Sequence, residues 1–119
     1  MEYKLLINGE LVDGAGTMPV LNPATEEILA ECPTASEGQL NEAVTAAQSA
    51  FEKWKETSLD ERRAKLGEIA DIVDAHSDEL ARSLTQEQGK PLEEAMVEIS
   101  GAAMFCLLYT SPSPRDNTT

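Results

Sequence analysis

Apolar residues change rhythm near residue 36. Before it they come in short runs bounded by turn residues. Lys4-Leu5-Leu6-Ile7 and Glu10-Leu11-Val12 flank Asn8-Gly9. Asn-Gly between two such runs is the strongest short signal for a type I′ hairpin turn, whose two central residues need positive φ. Tyr3–Val12 is therefore predicted to be a β-hairpin, and Asp13-Gly14-Ala15-Gly16 ends its second strand with flexible turn residues. Val20–Thr25 reads as an extended run into a turn, because Asn22 is pushed out of the helical region by Pro23, whose own φ is fixed. Glu27–Glu31 alternates as one more short strand, closed by Cys32-Pro33.

After residue 36 the period becomes helical. Ser36 with Gln39 forms a capping box, in which each side chain satisfies a backbone donor left free in the first turn. Leu40, Val44, Ala47, Phe51 and Trp54 then follow at spacings of 4, 3, 4 and 3, a single apolar stripe. Ser58 with Glu61 opens a second helix, with its stripe at Leu66, Ile69 and Val73. Ser77 is a candidate cap for a third, with Leu80 and Leu84 facing inward. Gly89 suits the left-handed position that ends a helix, and Pro91 the first turn of the next. That last helix carries Leu92, Ala95, Met96, Ile99, Ala102 and Ala103.

The pattern breaks at Phe105/Cys106. Residues 106–119 have no period and no acidic bias, and Cys106–Asp116 can be spelled by a nucleotide string that resembles a sequencing-library adapter. The expectation is a natural segment over residues 1–105, interrupted in mid-helix, and a non-native, disordered tail over 106–119. The alternative is a genuine Ser-Pro tail with phosphorylation sites at Ser111 and Ser113.

Composition narrows the function classes. The 119 residues suit one domain at most, since domains usually run about 100–150 residues. A formal charge of -13, from 22 acidic against 9 basic residues, argues against nucleic acid, whose phosphates repel such a surface. No basic stripe marks an anionic membrane surface, and no run of apolar residues reaches membrane-spanning length. Two cysteines, Cys32 and Cys106, rule out a disulfide framework and make a reducing cytoplasm the expected setting.

Few residues are candidates for chemistry. His76 is the single histidine, and one histidine cannot supply a zinc site. Cys32 lies between Glu31 and Pro33, whereas a reactive thiolate needs a cationic neighbour or a helix N-terminus. Gly14 and Gly16 form Gly-x-Gly without the third glycine or the following helix of a dinucleotide cradle. The acidic residues fall mainly on solvated helix faces, and Phe51 with Trp54 belongs to an apolar stripe. Taken alone, the pattern stops at a soluble, acidic, mostly helical domain with an N-terminal hairpin.

Ordered motifs add a resemblance. Ile7-Asn8-Gly9-Glu10, Leu21-Asn22-Pro23-Ala24-Thr25 with Glu27-Ile28-Leu29-Ala30, and Ala46-Ala47 through Ala50-Phe51 to Trp54 resemble the opening of an aldehyde dehydrogenase. So do Glu61-Arg62-Arg63 and Leu84-Thr85-Gln86-Glu87-Gln88-Gly89-Lys90-Pro91-Leu92 followed by Glu94. The likeness covers Met1–Phe105.

It implies an α/β parent whose dinucleotide-binding domain begins with a hairpin, a short strand and about four amphipathic helices. It also implies oxidation of aldehydes to acids with NAD or NADP through a cysteine thioester, a general-base glutamate and an oxyanion site. All those groups lie downstream in the family, so no catalytic, cofactor-binding or metal residue is assigned. By this reading Cys32 and Cys106 are not the nucleophile, Glu87 and Glu98 are not the base, and Gly89-Lys90-Pro91 is structural. Some relatives hold a monovalent cation, which here would fall to the backbone near Val20 and Leu21 plus Glu98. The implied parent takes an aldehyde and assembles as a homodimer or homotetramer. The chain alone is expected to be inactive and marginally stable, with an exposed apolar patch. A stand-alone acidic helical module that binds a partner protein is the alternative.

Overall fold

The computed structural model describes residues 2–110. The chain divides into two compact units, Met1–Thr57 and Ser58–Thr119. Each closes on sequence-adjacent elements.

In the first unit, β1 (Leu5–Ile7) and β2 (Glu10–Val12) pair antiparallel, with Leu5 opposite Val12 and Ile7 opposite Glu10. Asn8 and Gly9 both take positive φ, 53° and 77°, as the type I′ turn requires. A second ribbon follows, with β3 (Gly16–Leu21) antiparallel to β4 (Ile28–Thr34). It extends the sequence reading twice: β3 begins at Gly16, ahead of the extended run foreseen from Val20, and β4 runs on through Cys32 and Pro33 to Thr34. Gly16, Pro19 and Pro33 hid the signal, because glycine and proline are depleted in strands. Here the prolines are tolerated by position. Pro33 faces Thr17 and Pro19 faces Glu31, two places along the same register. Both therefore occupy the same kind of site, in a two-stranded ribbon whose outer edges need no donor.

Asn22 organises the connection between β3 and β4. Its backbone N–H donates to the Glu27 carbonyl at 2.9 Å, and its carbonyl accepts from Glu26 N–H at 2.7 Å. Its side-chain oxygen accepts from the Ala24 N–H at 2.9 Å, closing an Asx turn ahead of Glu26, which sits at φ 62°.

Helix α1 (Glu37–Trp54) starts at the expected capping box. Gln39 uses both ends of its amide there. The oxygen accepts from Ser36 N–H at 3.0 Å, and the nitrogen donates to the Asp13 carbonyl at 2.8 Å, tying the helix start to the end of the hairpin. Between α1 and the hairpin, half-buried Ala43 and Ala46 and exposed Ala47 and Ala50 line a space shared with Leu6 and the buried Ile7.

The second unit is three helices, α2 (Leu59–Ala75), α3 (Ser77–Gln88) and α4 (Leu92–Thr110), with α4 packed against both others. The Ser58–Glu61 capping box forms as predicted. Ser77 does not cap α3; it is the first helical residue. His76 serves as the last cap of α2 and the first of α3, with no side-chain cap bond, because the two helices follow one another with a single residue between them. Gly89 takes the left-handed conformation, φ 79°, and donates to Thr85 O at 2.8 Å. The Pro91 carbonyl accepts from Ala95 N–H at 3.0 Å, starting α4. That helix continues across the Phe105/Cys106 break, so Cys106–Thr110 are helical where disorder was expected. Ser111 and Ser113, and the rest of the tail, lie outside the described residues.

Packing reverses the predicted roles of large and small side chains. Among the described residues of this unit, the buried apolar ones are Ala70, Ala81, Ala95 and Ala103. Leu66, Val73, Leu84 and Ile99 are half-buried, while Ile69, Leu80 and Met96 are exposed. Helices that meet through alanine bring their backbones close, and leave larger neighbours to flank the seam. We expect Ala95→Leu, at a site with no exposure, to cost about 1–3 kcal/mol by overpacking. A urea unfolding curve with an unchanged midpoint would contradict this account of the seam.

Candidate functional site

Cys32 sits in β4 opposite Met18, half-buried and free. Cys106 is likewise half-buried and free, on α4. His76 is exposed, with Nδ1 2.9 Å from the Ile72 carbonyl, a contact within its own helix end. Glu87 is exposed on α3, and Glu98 is held by Lys90 across the start of α4. The Lys90–Glu98 pair gives the carboxylate a protein cation as its partner. Among the described residues, no three His, Cys, Asp or Glu side chains are grouped to hold a metal ion. No described helix is long and apolar enough to cross a membrane.

Gly14 and Gly16 do not fit a phosphate cradle. A Cβ on Gly14 would lie 2.7 Å from the Thr34 carbonyl and 2.9 Å from Pro33, so the space beside it is filled by β4. The backbone then continues into β3, whereas pyrophosphate recognition needs a helix N-terminus directly after the turn. Glycine is required here for close strand approach. Gly14 and Gly16 are thus strand-packing positions.

The most open concavity runs along α1 from the hairpin turn, about 1000 Å³ in volume. Asn8, Glu42, Thr45, Ser49, Lys53 and Trp54 line it. It offers one acid, one base and several neutral hydrogen-bonding groups around an apolar floor. Its lining holds neither cysteine nor histidine.

Charge is perturbed at two exposed places. Asp13 and, less strongly, Glu2 hold the Lys4 ammonium above the ordinary lysine range by hydrogen bonding, with Glu2 at 3.0 Å. Arg82 is raised by its hydrogen bond to Asp78, one helical turn away at 2.9 Å. Such surface pairs contribute little to stability.

Comparison with known proteins gives the class. The sequence matches the aldehyde dehydrogenase family over residues 11–118, a stretch that includes most of the region beyond Phe105. The chain belongs to that family, whose members are NAD(P)-dependent oxidoreductases. It is 44% identical over 104 residues to a probable aldehyde dehydrogenase of Pseudomonas sp., covering 87% of this chain and 21% of that protein. It is 36% identical over 112 residues to a mitochondrial succinate-semialdehyde dehydrogenase of Oryza sativa subsp. japonica, covering 92% and 21%.

The fold is that of solved aldehyde dehydrogenases. A betaine aldehyde dehydrogenase of Staphylococcus aureus in complex with NAD+ superposes with a TM-score of 0.87 at 26% identity, over 96% of this chain and 26% of that one. HpcC of Thermus thermophilus does so at 0.86 and 33% identity, over 88% and 21%. The chain thus spans roughly a fifth to a quarter of the length of the relatives it matches, 21% and 26% in the first of each kind.

The Lys4 cluster yields a pH prediction. A cation whose pKa is raised by folding contributes stability below its unfolded value and loses it as pH rises through the folded value. Asp13→Asn should move the Lys4 titration, followed by NMR at Cε, down toward the ordinary lysine value. An unshifted titration would refute the pairing.

Proposed function

We propose that this chain is the opening part of the dinucleotide-binding domain of an aldehyde dehydrogenase, and that it supplies scaffold rather than chemistry. The observation that carries the reading is the family match over residues 11–118 in a chain that spans about a fifth of its relatives, 21% of the Pseudomonas protein. The whole enzyme oxidises an aldehyde to the carboxylic acid in the cytoplasm and assembles as a homodimer or homotetramer. NAD or NADP takes up the two electrons released in that oxidation. The nucleophilic cysteine, the base and the cofactor contacts belong to the remainder of the polypeptide.

Three features support the scaffold role. Cys32 is a strand residue with no histidine or cationic side chain among its sequence neighbours. Glu98 is committed to Lys90. Gly14 is occupied by its own β4 neighbour. What the segment does offer is rigid local structure: two turn-defined ribbons, two capping boxes and a left-handed helix stop at Gly89.

The purified 119-residue chain should form no NADH or NADPH from an aldehyde and the oxidised cofactor, and should show no calorimetric binding of NAD+ at millimolar concentration. Aldehyde-dependent NADH formation by this chain alone would overturn the reading.

A further inference from the structure

The Asn8-Gly9 turn that shapes the hairpin is also chemically labile. Asparagine is among the residues that proteins lose on ageing and heating. The backbone nitrogen of the next residue can attack its side-chain amide carbon and close a five-membered ring, provided nothing crowds that nitrogen. Here the surroundings are open. Asn8 and Gly9 are both exposed, and the Asn8 side chain makes no hydrogen bond with another described residue. Among the described residues the Gly9 N–H has no backbone partner either. A Cβ on Gly9 would meet nothing within 4 Å. The turn itself is the remaining restraint, since positive φ at Asn8 and Gly9, 53° and 77°, belongs to a paired hairpin. That restraint is weak: β1 and β2 are three residues each, and a lone two-stranded ribbon is marginal in water.

We propose that Asn8 is a site of spontaneous deamidation, reached when the turn opens locally. The Gly9 nitrogen gives up its proton to water and attacks Asn8 Cγ, and the side-chain amide leaves as ammonia. The resulting succinimide joins the Gly9 nitrogen to both carbonyl carbons of residue 8. Water then adds to one of them. Breaking the bond to Cγ leaves aspartate, and breaking the bond to the backbone carbon leaves isoaspartate, with the chain running through Cγ. The balance is one water consumed and one ammonia released, with no oxidant and no cofactor. The two products part company structurally. Aspartate accepts positive φ and suits the same turn, but it places a carboxylate in the concavity that Glu42 also lines. Isoaspartate lengthens the backbone inside a two-residue turn and breaks the register of Leu5 opposite Val12.

Other positions of similar sequence are protected. Asn22 precedes Pro23, which has no N–H to lose. Asn41 and Glu42 lie inside α1, where the attacking nitrogen is held in the helical hydrogen-bond ladder. Asp13-Gly14 could close the same ring with loss of water, but it is pinned. Lys4 holds the Asp13 carboxylate, Gln39 Nε2 donates to the Asp13 carbonyl at 2.8 Å, and the Ala15 N–H donates to Thr34 O at 2.9 Å. Gly14 itself is packed against Thr34 and Pro33. Geometry thus singles out Asn8 among the described asparagines. The inference is independent of the scaffold reading, since neither an aldehyde nor a nucleotide takes part.

The test is to age the purified 119-residue chain in mildly alkaline buffer and map its peptides by mass spectrometry, with isoaspartate methyltransferase labelling to separate the two products. The peptide holding Asn8 should gain the mass of amide-to-acid conversion at least tenfold faster than the one holding Asn41, and isoaspartate should be found at position 8. Hydroxylamine added during ageing should trap the succinimide there. Asn8→Gly keeps a sequence suited to the turn, and should abolish both signals. Ile7→Ala removes the buried residue of the hairpin, and should speed conversion of Asn8 at least severalfold, whether it loosens the hairpin or unfolds it. An Asn8 that stays intact, or that converts no faster than Asn41, overturns the proposal. So does a rate unchanged by Ile7→Ala, which would remove the opening step, or isoaspartate that persists in Asn8→Gly.

Discussion

Close contact through alanine is the constraint on which both units depend. Where helix meets helix, the buried side chain at the seam is a methyl group: Ala70, Ala81, Ala95 and Ala103 in the helical unit, while half-buried Ala43 and Ala46 lie beside the hairpin in the other. A methyl lets backbones approach and adds little burial of its own. At about 25 cal/mol per Å² of apolar area removed from water, such seams stabilise weakly compared with a core of leucine and phenylalanine. Among the described residues no large side chain is fully buried. Order in these units therefore leans heavily on local devices: the type I′ turn, the capping boxes, the Asx turn at Asn22 and the Gly89 stop.

The same constraint explains why so much apolar surface faces outward. Large side chains flanking an alanine seam cannot enter it. On α4 they surround most of the axis, with Met96, Val97, Met104, Leu107 and Leu108 exposed beside the packed Ala95 and Ala103. A helix that is apolar nearly all round is normally buried on all sides. In a family whose members are several times longer than this chain, such faces have ample polypeptide to meet.

Much of this was legible in sequence, and for identifiable reasons. The hairpin followed from Asn8-Gly9, because few other pairs accept two successive positive φ values. The starts of α1 and α2 followed from Ser36 with Gln39 and Ser58 with Glu61, since a cap is a contact across three residues. The family followed from ordered motifs. Most of β3 and the end of β4 were missed because Pro19 and Pro33 are unfavourable in strands, and only pairing shows that both sit where an edge strand needs no donor. Ser77 was misread because a cap depends on how the preceding helix ends, which is set at His76.

Sequence by itself determined the elements that rest on neighbours in the chain: turns, caps and helix phases. Tertiary structure alone decided which side of each helix is used. A stripe of Leu40, Val44, Phe51 and Trp54 says that a helix has an apolar side, and hydrophobicity ranks those residues above alanine for the interior. Which side packs is governed by how closely two backbones can approach, and that distance is set between elements rather than along one. In the helical unit Ala70, Ala81, Ala95 and Ala103 won that contest, leaving Ile69, Leu80 and Met96 on the surface.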